Sequence, residues 1–135
     1  MPPFTPSTPS SGIVSLTSPY SLHDTVERLQ AALKAHGATV FAVIDHQAAA
    51  ERVGLKMPPA TLLIFGNPKV GTPLMVENIR VALDLPSKVL VSAATPGTVL
   101  VSFNATAWLL QRHALPARMA ERLAPLEKLV RDAIQ

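Results

Sequence analysis

The sequence predicts a two-layer α+β domain, a mixed sheet with helices chiefly on one face, in the order β-α-β-α-β-α-β-β-α-α. Three observations carry that prediction. An uncharged apolar run, Leu62 to Phe65, stops abruptly at Gly66-Asn67-Pro68, as a buried strand stops at a turn. Apolar residues recur at helical spacing in two stretches: Leu22, Val26, Leu29 and Leu33, then Met119, Leu123, Leu126, Val130 and Ile134. Two further strand-like runs, residues 88–93 and 98–103, flank Thr95-Pro96-Gly97. Pro followed by Gly matches a type II turn. A tight type II hairpin fits sheet twist poorly, so a longer loop is expected there.

Taken in order, residues 12–16 alternate weakly and predict a short edge strand, turned by Ser18-Pro19-Tyr20. Ser21 can cap a helix over residues 22–36, with Asp24 three residues on and Gly37 as its stop. Residues 39–44, TVFAVI, are β-branched and aromatic and predict a strand. Strict alternation puts Val40, Ala42 and Ile44 on one face, Phe41 and Val43 on the other. Asp45-His46-Gln47 ends it, and a short helix over 48–53 closes at Gly54. Pro58-Pro59 then fixes the loop into the central strand, where Leu62 and Ile64 oppose Leu63 and Phe65. Both faces of that strand are apolar, so it needs cover on two sides, from helices or from a second copy of the chain.

A helix within residues 70–80 is expected to begin near Thr72-Pro73, since proline suits a first helical position. Residues 83–86 return the chain to the sheet. Val99, Val101 and Phe103 face one way, Leu100 and Ser102 the other. A helix over 105–113 buries Trp108 and Leu109. The last helix starts near Pro116, and Pro125 within it is expected to kink or split it.

The 135 residues suit one domain, over residues 11–135. Residues 1–10 hold four prolines among serines and threonines, which predicts a disordered lead-in. They have neither the basic start nor the apolar centre of a signal peptide. No apolar run approaches the ~18 to 20 residues of a membrane span. The absence of cysteine suits a reducing cytosol, so the chain is expected to be cytoplasmic. The net charge is +3, and the basic residues near the C-terminus are diluted by Glu121, Glu127 and Asp132. No basic stripe forms, so no nucleic-acid partner is expected.

Chemistry is sparse. The best candidate is an anion site at Gly66-Asn67-Pro68-Lys69 with Gly71-Thr72, where a turn before a helix exposes backbone N–H groups and Lys69 adds a charge. The phosphate-loop pattern itself is absent. Asp45-His46 at a strand end is the second: His46 offers an acid, base or ligand, while the plainer role for Asp45 is to cap the next helix. His23, His36, His46 and His113 lack paired spacing, so no metal site is expected. No nucleophile elbow is present.

Three segments carry a resemblance: FAVIDHQAAAERVGL (41–55), TLLIFGNPKVGTPLM (61–75) and LDLPSKVLV (83–91). Over residues 41–113 the sequence resembles the family called domain of unknown function 302. That resemblance implies a compact domain with a largely antiparallel sheet, commonly a homodimer, and implies no reaction. Ser87 departs from the leucine that usually follows the DLP motif. The expected function is therefore a non-catalytic homodimeric structural or interaction module, cofactor unknown. The alternative is a protein or enzyme that binds a small anionic ligand near His46, Asn67, Lys69 and Thr72.

Overall fold

A computed structural model describes residues 11–135. The expectation of a disordered lead-in falls on residues 1–10, outside the described residues. Five strands, β1 (Ile13–Ser18), β2 (Thr39–Asp45), β3 (Ala60–Gly66), β4 (Ser87–Ser92) and β5 (Val99–Asn104), form one sheet in the order β1-β5-β4-β3-β2. All four pairings are antiparallel, so among the described residues the sheet contains no parallel pair. The helices are α1 (Leu22–Ala35), α2 (His46–Arg52), α3 (Pro68–Glu77), α4 (Thr106–Arg112) and α5 (Ala120–Ala133). Short 3-10 turns at Ile79–Leu83 and Ala117–Met119 complete the order.

Local chemistry explains most boundaries. The Ser21 hydroxyl accepts the Asp24 N–H at 3.1 Å and starts α1 where expected. Gly97 has φ +81° and the Thr98 N–H donates to the Thr95 carbonyl at 3.0 Å, so the type II turn sits inside a longer loop between β4 and β5. α3 starts at Pro68 rather than near Thr72, because Asn67 caps it and Pro68 lacks the N–H that a first turn leaves unused. Pro73 therefore lies inside the helix. So does Pro125 in α5, which stays a single helix. The carbonyl that Pro125 deprives of a donor belongs to exposed Glu121, where water can serve it.

Partners across an antiparallel ladder share a face, so the register decides what is buried. Leu63 pairs with Val89, Val91 with Val101, and Val14 with Phe103. This face meets α1 and α5 in one core with Leu29, Leu33, Leu129 and Val130. A second core joins α3, α4 and α5 through Leu74, Val81, Leu109, Leu110, Met119 and Leu123, and Leu126 packs against both. Trp108 is half-buried against the second core rather than enclosed in it.

The opposite face carries Ile44, Leu62, Ile64, Leu90 and Leu100. None of them belongs to or packs against either core. β3 is paired on both sides, but β4 holds the centre of the sheet. A β-bulge corrects the alternation expected in β2. Val40 pairs with Phe65 and Ala42 with Ile64, leaving Phe41 as the extra residue. Val40 and Val43 therefore share the core side, and Ala42 and Ile44 the other.

Candidate functional site

The β2–β3 register separates the residues expected to share a pocket. Asp45 pairs with Thr61, whereas Thr39 pairs with Gly66. His46 thus follows β2 at one end of the sheet, and Asn67, Lys69 and Thr72 follow β3 at the other. The length of β3 lies between them, about 20 Å at roughly 3.4 Å per residue. The expected common rim is not formed, because an antiparallel connection sends the two strand exits to opposite poles. His46 opens α2 and is exposed. Asp45 takes its plainer role, its Oδ1 accepting the Ala48 N–H at 2.9 Å.

The backbone donors counted on for an anion are already engaged. Asn67 Oδ1 accepts the Lys69 N–H at 3.0 Å, and the Asn67 carbonyl accepts from Val70 at 2.8 Å and Gly71 at 2.9 Å. Pro68 has no N–H to offer. Lys69 and Thr72 point outward in α3 as exposed residues. The turn is a self-satisfied helix start.

Two adjoining cavities do open at this end of the sheet. Leu85, Ser87, Leu123 and Leu126 line both. The larger, about 140 Å³, is walled by Phe41, Pro68, Val70, Gly71, Met75 and Pro86, with Asn67 at its edge. Asn67 is the one predicted site residue of the four that this cavity includes. The β-bulge is what puts Phe41 here: a Cβ built on Gly66 would lie 3.5 Å from the Phe41 ring and 3.6 Å from Pro86. The smaller cavity, about 60 Å³, is lined by Asp84, Lys88, Asn104, Thr106 and Glu127 together with Phe65 and Phe103.

Both carboxylates around the smaller cavity are paired. Asp84 Oδ2 lies 2.5 Å from His113 Nε2 and 3.6 Å from Arg112 Nε. Asn78 holds the same corner, its Nδ2 donating to the His113 carbonyl at 2.9 Å. Glu127 accepts from the Thr106 hydroxyl at 3.0 Å and from Arg131 at 3.3 Å. The Lys88 ammonium donates to the Pro86 carbonyl at 3.0 Å. No group of three or more His, Asp or Glu able to hold a metal occurs among the described residues. Sequence reasoning does not pair Asp84 with His113, 29 residues apart, or Thr106 with Glu127, 21 apart. No spacing rule links such positions, and only the LDLP segment drew notice to Asp84.

A second feature is the sheet face away from the cores. Its apolar residues run from the β2 edge, where Ile44 is 36% exposed, through Leu62 to Leu90. Toward β1 it becomes polar, with Ser15 and Ser102 hydrogen-bonded hydroxyl to hydroxyl at 2.8 Å.

The family pattern described as "Domain of unknown function DUF302" matches residues 14–133. A protein of Brucella suis biovar 1 (strain 1330) named fluoride-specific ion channel FluC 1 is 44% identical over 105 residues, covering 78% of this chain and 41% of that protein. One of Brucella melitensis biotype 1 (strain ATCC 23456 / CCUG 17765 / NCTC 10094 / 16M), named FluC 2, is also 44% identical over 105 residues, covering 78% and 39%. The chain thus spans about two-fifths of the length of the curated relatives it matches. No helix of the described residues is long and apolar enough to cross a membrane. The crystal structure of an uncharacterised conserved DUF302 protein from Bacillus stearothermophilus shares the fold, with a TM-score of 0.78 at 22% identity over 93% of this chain and 97% of that one.

Proposed function

This chain belongs to the family of domain of unknown function DUF302, and from that premise we propose a non-catalytic interaction module that pairs with a second copy of itself through the uncovered sheet face. The observation that carries the reading is the position of Leu62, Ile64, Leu90 and Leu100, all half-buried and all outside both cores. Water is a poor neighbour for such a row, and a partner sheet would bury it. A five-stranded face about 20 Å long has a footprint of about 500 Å². That is more than half of the ~800 Å² per partner of a stable interface.

The relatives named as fluoride channels add a setting. This domain is the smaller part of their length, so their membrane-crossing part is assigned to the remainder and the present domain to an accessory role beside it. In this reading the domain works in the reducing cytosol, which its lack of cysteine suits. Size-exclusion chromatography with light scattering at micromolar concentration tests the pairing. A dimer that Leu90→Arg converts to monomer is the expected result, and a wild-type monomer overturns the proposal.

A further inference from the structure

The adjoining cavities have a composition that dimerisation does not use. The larger is lined by hydrocarbon and by two residues without side chains, Gly66 and Gly71. A Cβ built on Gly71 would meet only ordinary contacts, 3.7 Å from Leu85 Cδ1 and 3.8 Å from Met75 Cε. A side chain at Gly71 would therefore fit against Leu85 and Met75, two residues of the cavity wall, and the cavity's volume of about 140 Å³ is close to that of one which takes up benzene. Its polar edge consists of Asn67 and Ser87. Asn67 has committed its side-chain oxygen to the Lys69 N–H, which leaves its amide nitrogen as the remaining donor. Ser87 brings a hydroxyl at the wall shared with the smaller cavity.

Charge decides the class of ligand. Asp84 is matched by Arg112 and Glu127 by Arg131, while the Lys88 ammonium, which lines the smaller cavity alone, has only the neutral Pro86 carbonyl. No charged side chain lines the larger cavity, and an ion entering that apolar slot would lose its hydration without compensation. A neutral head that both donates and accepts can pair with Ser87 and Asn67. We propose that these adjoining cavities bind a small uncharged amphiphile, an aryl or short-alkyl alcohol or amide. Its apolar body lies along Gly71 and Met75, and its polar head lies at Ser87 and Asn67.

Three isosteric probes test this in the full chain: benzyl alcohol, benzylamine and benzoate, each titrated with amide chemical shifts read by NMR. Benzyl alcohol is expected to give saturable shifts centred on Gly66, Gly71 and Ser87, with the two ions about tenfold weaker or worse. Gly71→Leu fills the slot and should weaken the alcohol by about tenfold with the spectrum still dispersed. Should that variant misfold, Gly71→Ala, which favours the helix, is expected to weaken binding severalfold. Absence of saturable shifts, equal binding of all three probes, shifts centred elsewhere, or an unchanged affinity in the folded Gly71 variant would each overturn the proposal.

Discussion

His113 and Asp84 meet at 2.5 Å between Nε2 and Oδ2, tying the end of α4 to the segment that enters β4. The His113 side chain is 6% exposed and that of Asp84 15%. Asp84→Ala would leave a nearly buried imidazole without its partner. The expected cost is about 1 to 3 kcal/mol, read by urea unfolding. The Arg112 contact adds little, since its side chain is 45% exposed at 3.6 Å. An unchanged unfolding midpoint would mean that water replaces the carboxylate.

Gly12 and Trp108 make a closer approach than any side chain permits. Gly12 has φ +77°, and a Cβ there would fall 2.2 Å from Trp108 Cγ, while the Gly12 carbonyl accepts the Ala105 N–H at 2.7 Å. Gly12→Ala must adopt a left-handed conformation and displace the indole. Together these are expected to cost about 2 to 4 kcal/mol. The Trp108 fluorescence maximum should move to the red as the ring is pushed outward. A mutant as stable as wild type would refute the tight fit.

Residues 22–36 and 61–66 could be read correctly because their signals are local: a cap, a period, an uncharged run between turns. The Phe41 bulge could not, since an inserted residue leaves no mark in an apolar stretch, and it shifts which of Val40 to Ile44 share a face. The start of α3 differs from the sequence expectation for a related reason. Two prolines, Pro68 and Pro73, each fit a first turn, and only the Asn67 cap chooses between them. The predicted pocket failed at a level above residues. His46 and Lys69 each stand at a strand end, but the antiparallel sense of β2 and β3 puts those ends apart. Asp84 and His113 show the converse, a contact made by topology between residues with no common motif.

Lys69 then becomes a decisive control. It is exposed, and the N–H groups beside it are bonded within the helix start. Lys69→Ala is expected to change stability by no more than about 0.5 kcal/mol. Phosphate and sulfate up to millimolar levels should raise the melting temperature of neither protein. A stabilisation by phosphate that vanishes in the mutant would restore an anion site at this turn.

Leu62 and Leu63 are neighbours with opposite fates, and the contrast tests the architecture as a whole. Leu63 is 0% exposed, packed in the core under α1 and α5. Leu63→Ala removes three heavy atoms from a fully buried site, and about 2 to 5 kcal/mol should be lost whatever the oligomeric state. Leu62 faces the other way, opposite Leu90 and Ile44, outside both cores. Leu62→Lys puts a charge into the proposed interface, where burial without a partner is costly, but leaves the monomer able to reach water with its ammonium. Light scattering should therefore report a monomer. Urea unfolding at concentrations low enough to dissociate the wild type should differ by less than about 1 kcal/mol. If Leu62→Lys unfolds the chain as severely as Leu63→Ala, the second face is closed within one copy, and the case for pairing is lost.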